Sequence, residues 1–212
     1  MSILSLFFPD RCVFCGKFTD KSRVCQKCRD ALPVTTGQRS VKRGEFFSNC
    51  ISPFYYVGLV RDSILRFKFS RKPSYSSVYA VYCARLIRER LSGKFEIITW
   101  VPVSRKRRRK RGYDQAELLA EAISRELGIP CTKTLVKIRE TPPQSTISGL
   151  AKRRANISGA FKGTGTDISG KRILLIDDII TTGATLSECS RVLLMAGAED
   201  VVACTVAMKK DN

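Results

Sequence analysis

Hydrophobic residues change their spacing along this chain, and each change marks an expected element. In SPFYYVGLVRDSILRFKFS (52–70), Val60, Ile64, Leu65 and Phe67 recur at helical spacing, and YSSVYAVYCARLIRERLS (75–92) reads as an amphipathic helix. FEIITWVPV (95–103) is a buried-strand candidate ending at Pro102, and DQAELLAEAISRELG is a helix opened by Asp114 and closed by Gly128. TLVKIRE (134–140) predicts a strand, residues 141–163 a long polar excursion, and KRILLIDD (171–178) a second buried strand. A helix from about 184 to 196 and the strand VVACTVAM (201–208) complete the pattern. Alternation of this kind predicts an α/β fold, a mainly parallel sheet with helices on both faces joined by right-handed crossovers. Ligands of such sheets bind beyond the carboxyl ends of the strands. One rim should therefore carry Asp177, Asp178, the turn at 101–105 and the polar excursion.

Residues 1–33 have a different character, and 34–50 is polar and strand-poor, a linker or a continuation of that head. The expected division is 1–50 and 51–212. The apolar stretch Ile3–Phe8 is short and has no basic leader, so it reads as a docking helix and not a signal peptide. No stretch is long and apolar enough to span a bilayer, and a cytoplasmic protein is expected. Nine cysteines without a targeting segment favour thiols and metal ligands over disulfides. CVFC supplies Cys12 and Cys15, and CQKC supplies Cys25 and Cys28. Two such turns can complete a tetrahedral thiolate site for a structural zinc, and with no histidine in the chain a mixed Cys/His set is excluded. Two unliganded or redox-active pairs are the alternative.

RILLIDDIITTGATL places an acid pair, Asp177 and Asp178, before the turn Thr181, Thr182, Gly183, Ala184 and Thr185 at a helix N-terminus. Backbone N–H groups there, with three hydroxyls and a glycine that permits close approach, suit a phosphate. Two carboxylates would repel that anion unless they face another part of the same ligand, and a sugar diol fits. The expected ligand is a sugar phosphate of 5-phosphoribose size. This segment resembles the phosphoribosyl diphosphate (PRPP) signature of the type I phosphoribosyltransferases. The order of a four-cysteine head, GLVRDSILRFKFSRK, VPVSRKRRRKRGYDQAELLA, QSTISGLAKRRANISGAF and the PRPP motif resembles the competence protein F (ComF) family.

The resemblance implies a zinc-ribbon-like module ahead of a type I phosphoribosyltransferase domain, with Asp177 and Asp178 on the ribose hydroxyls and 181–185 on the 5-phosphate. It places the diphosphate on Pro102, Val103, Ser104 and Arg105, helped by Arg111 and Gly112. Mg²⁺ accompanying PRPP, a mobile hood at 142–154, a role in natural transformation, single-stranded DNA, and a competence helicase or other DNA-processing partner are implied likewise. Cysteine pairs beyond Cys28 are missing, which leaves a second zinc open, and GYDQ stands where Phe-Asn-Gln is commoner. The motifs name no nucleophile pocket and no catalytic residue. An active transferase of nucleotide metabolism or salvage and a PRPP-sensing regulator both remain open.

Net charge is +19, from 38 Lys and Arg against 19 Asp and Glu, and favours polyanionic partners. Arg105, Lys106, Arg107, Arg108, Arg109, Lys110 and Arg111 form an unbroken basic run, more than one diphosphate needs. It suits a nucleic-acid backbone, the diphosphate, or a solvated loop. SRK at 70–72 and AKRRAN at 151–156 would add to it if they adjoin it in space. Tyr55, Tyr56, Phe67 and Phe69 could stack on unpaired bases, but their spacing reads first as core.

Overall fold

The computed structural model describes residues 11–19, 22–37, 41–142, 147 and 149–210. The expected docking helix at Ile3–Phe8 lies outside them, as do 143–146 and 148 of the expected hood. The described helices are α1 (Gln26–Ala31), α2 (Gly58–Phe69), α3 (Tyr75–Arg90), α4 (Arg105–Arg111), α5 (Gln115–Leu127), α6 (Leu150–Ile157) and α7 (Ala184–Met195). The strands are β1 (Val41–Lys42), β2 (Cys50–Ile51), β3 (Phe54–Tyr55), β4 (Ile97–Trp100), β5 (Leu135–Lys137), β6 (Phe161–Gly163), β7 (Arg172–Ile180) and β8 (Asp200–Met208).

The main sheet runs β1-β2-β8-β7-β4, with β3 following β2 along the same edge of β8. Every pair is parallel except β1 with β2. β7 and β8 pair from Arg172–Asp200 to Ile180–Met208, and their stretches 173–176 and 201–204 are apolar on both faces, because helices cover both. Side chains of β7 alternate between two cores. Leu174 and Ile176 join α2, α3 and α5, whereas Ile173 and Leu175 join α7, β6 and Phe47.

The cysteine head is built into the first core. Val13 and Phe14, between the first cysteine pair, are 0% exposed, and the Phe14 ring meets Phe54, Tyr79 and Tyr82 at centroid distances of 5.7, 6.2 and 6.2 Å. Ser63 Oγ donates to the Val13 carbonyl at 2.7 Å, and the Arg66 guanidinium donates to the Val13 and Phe14 carbonyls at 3.1 and 2.6 Å.

Four expectations change. The strand-poor stretch 34–50 supplies β1 and the start of β2, whose Cys50 pairs with Ala203 of β8. The strand predicted at 134–140 is β5, which leaves the main sheet and pairs antiparallel with β6. The polar excursion contains α6 as well as β6. The basic run is a helix and not a loop, and none of its residues is buried. The Ser104 hydroxyl caps its start by accepting from Arg107 N–H at 3.3 Å, and Gly112, at φ +87°, ends it in the left-handed conformation. Arg and Lys are good helix formers once their repulsion is relieved, here by the Arg108–Glu117 ion pair at 2.9 Å and the Arg111–Gln115 hydrogen bond.

Candidate functional site

A cavity of about 590 Å³ opens beyond the carboxyl ends of β4 and β7. Asp177 and Asp178 follow the buried run 173–176 of β7, and the turn after the strand carries Thr181 to Thr185 into α7; all these acids and turn residues line the cavity. Gly183 sits at φ +78°, where a side chain is strained, and an added Cβ would meet the Phe47 ring at 3.4 Å. The turn therefore closes tightly over the sheet and lines the cavity at the start of α7, where the first N–H groups of a helix lack intrahelical acceptors.

Charge in the cavity is lopsided. Lys68, Arg71, Arg107, Lys110, Arg111, Lys137 and Arg153 face two carboxylates. Burial, then the Arg107 guanidinium, pulls the Lys137 ammonium down to about 8, while burial and then Arg111 lower Arg107. Both shifts run against the charged form, and an anion bound beside these side chains would offset them. The acids are strained in the opposite sense: burial, then the Asp178 charge, pushes Asp177 up to about 8. Asp178 N–H donates to Asp177 Oδ1 at 2.8 Å, and Asp178 is paired with Lys68 Nζ at 2.9 Å. A diol bound to Asp178 would compete with that ammonium.

Of the expected diphosphate residues, Pro102 and Val103 line the cavity; Ser104 is buried and donates to Glu140 at 2.8 Å, and Arg105 opens onto a neighbouring cleft with Glu140. The basic run divides by helical face. Arg107, Lys110 and Arg111, spaced i, i+3 and i+4, line the cavity. Arg105, Lys106 and Arg109 line the outer cleft, Lys110 borders both, and Arg108 is committed to Glu117. The two outlying basic segments do adjoin the site, through Arg71 and through Arg153, which donates to Thr181 Oγ1 at 3.0 Å.

Sequence reasoning did not place Lys68 and Lys137 at the cavity, which they line, or Asp114 behind its wall. Asp114 was legible as a helix start, and its carboxylate does accept from Ala116 and Glu117 N–H, at 3.1 and 3.4 Å. It also accepts from Val103 N–H at 2.8 Å, tying the cavity wall to α5. Burial pushes it up to about 6.

At the head, the sulfurs of Cys12, Cys15, Cys25 and Cys28 lie within 4.8 Å of one another, with Cys15 and Cys25 at 3.8 Å. Zinc–thiolate bonds of about 2.3 Å place tetrahedral sulfurs roughly 3.8 Å apart, so four closed thiolate ligands fit a structural zinc.

Comparison with known proteins agrees with this arrangement. Residues 114–212 match the phosphoribosyl transferase domain family and 3–49 the double zinc ribbon domain family, although the described residues hold one four-cysteine cluster. The chain is 38% identical to competence protein F of Haemophilus influenzae over 109 residues, 50% of this chain and about half, 47%, of that protein. It is 26% identical to the DNA utilization protein YhgH of Escherichia coli K12, over 90% of this chain and 86% of that one. Against competence protein ComFC of Bacillus subtilis, identity is 26%, covering 88% and 72%. No helix among the described residues is long and apolar enough to cross a membrane. The chain is thus a homologue of competence proteins F and ComFC and of YhgH, built as a phosphoribosyl transferase domain behind a zinc-ribbon head.

Proposed function

We propose that the cavity binds PRPP and that the protein handles single-stranded DNA in the cytoplasm during natural transformation. The observation that carries the first part is that an acid pair, a Thr-Thr-Gly turn at a helix start and seven cations converge on one cavity. Asp177 and Asp178 take the ribose hydroxyls, residues 181–185 the 5-phosphate, and the Pro102–Val103 turn with Arg107 and Lys137 the diphosphate. Mg²⁺ bound together with PRPP would add positive charge against the leaving diphosphate, with Asp177 and Asp178 kept for the diol. Loss of diphosphate from C1 leaves a cation-like sugar, so these residues would act by positioning the ribose and stabilising the leaving charge. The names of the relatives, competence and DNA utilization proteins, support the second part.

Calorimetry of the whole protein with PRPP and Mg²⁺ tests the site. Binding that disappears in Asp177→Asn/Asp178→Asn while nucleic-acid binding persists is the expected result. Absence of both heat and thermal stabilisation at millimolar PRPP would overturn it. Diphosphate release with candidate acceptors then separates a transferase from a PRPP sensor.

A further inference from the structure

Helical geometry separates the aromatic residues at the end of α2. Phe67 is 0% exposed and packed against Tyr79 at 5.6 Å, and this fixes the rotation of the helix. Phe69, two residues and about 200° further round, is forced outward and is 67% exposed. It is not an isolated surface apolar residue. It lines the cavity beside Tyr56 and Leu65, with Arg71, Lys110 and Arg111 around it, and the Arg111 guanidinium lies 5.2 Å from its ring centroid. The segment behind it is held in place: the Tyr113 hydroxyl donates to the Phe67 carbonyl and accepts from Lys72 N–H at 3.1 Å. Between them Arg71 adopts φ +49°, the one positive value at a non-glycine among the described residues.

We propose that Phe69 is a stacking platform for a base of an unpaired nucleic-acid strand, whose phosphates follow Lys110 onto Arg105, Lys106 and Arg109. The proposal rests on the nucleic-acid reading above and gives it a site. A flat ring at the rim, apolar neighbours and a guanidinium on one side match the face of a base, which only an unpaired strand offers. The outer face of α4 supplies phosphate-binding charge and meets the cavity at Lys110. Phe69 lines the same cavity as the acid pair, so the PRPP site and the strand would share one opening.

Fluorescence anisotropy with labelled 12-nucleotide oligo-dT, an abasic strand of equal length and a 12-base-pair duplex tests it at fixed salt. Wild type is expected to bind oligo-dT about tenfold more tightly than the abasic strand, the size of one stacking contact. Phe69→Ala should abolish that preference and leave abasic binding unchanged, and Phe69→Tyr should keep it. Arg105→Ala/Lys106→Ala/Arg109→Ala should weaken both strands and lower the salt slope by about two. Equal binding of oligo-dT and abasic strand, a preference that survives Phe69→Ala, or a duplex bound as tightly as oligo-dT would overturn the proposal. PRPP calorimetry on the same preparations keeps the readings apart: lost base preference with PRPP binding intact refers to Phe69 alone, and a base preference in a protein that ignores PRPP overturns only the PRPP site.

Discussion

Removing the metal from the four-cysteine head is expected to unfold the phosphoribosyl transferase domain with it. The thiolate turn holds Val13 and Phe14 in the core shared with α2 and α3, and opening it withdraws both. Losing a packed phenylalanine costs about 3–5 kcal/mol, and the charged hydrogen bonds from Arg66 add roughly 1–3 kcal/mol. The sum, about 4–8 kcal/mol, is a large share of the roughly 5–15 kcal/mol that stabilises a domain. At roughly 2–4 °C per kcal/mol the midpoint should fall by about 10–30 °C. The assay is chelation with metal release followed by a chromogenic dye, and unfolding followed by scanning calorimetry. Phe14→Ala with the metal retained should reproduce about 3–5 kcal/mol of the loss. Complete metal release with a midpoint unchanged within about 2 °C would refute the reasoning, since the head would then be an independent appendage.

Two further outcomes follow from the cavity. Asp177, raised from its ordinary value to about 8, keeps its proton in the folded chain while the unfolded chain has lost it. Its contribution to stability is therefore complete below about pH 4 and lost as pH rises toward 8. Asp177→Asn should flatten this profile and melt above wild type at pH 9, by more at pH 9 than at pH 5; a difference constant across that range in thermal melts sinks the assignment. Asp114→Ala removes the acceptor of three backbone N–H groups, one of them at Val103. It should cost about 2–3 kcal/mol, measured by urea denaturation, and weaken PRPP more than it weakens an oligonucleotide.

Much of the fold and part of the site were legible because they are local in the chain. The acid pair and its turn are contiguous, and Cys-x-x-Cys spacing defines a tight turn whatever surrounds it. The apolar runs of β7 and β8 are continuous because both faces are covered, so they read as buried strands without a partner being known. Where the reading stopped, distance along the chain was the reason. Lys68, Lys137 and Arg153 come from α2, β5 and α6, and only the sheet and its crossovers bring them to one cavity.

The basic run and the aromatic cluster show the same limit at shorter range. Seven like charges in sequence are indistinguishable until a helix, capped by Ser104 and Gly112, turns some toward the cavity and others away. Phe67 and Phe69 are likewise equivalent as letters, and the packing of one against Tyr79 exposes the other. The sequence by itself determined the chemistry on offer: two Cys-x-x-Cys pairs, an acid pair, a Thr-Thr-Gly turn and a surplus of cations. Tertiary structure alone decided which cations face the acids and which aromatic faces solvent, because side-chain direction depends on helix rotation and packing, and these are set by residues far away in the chain.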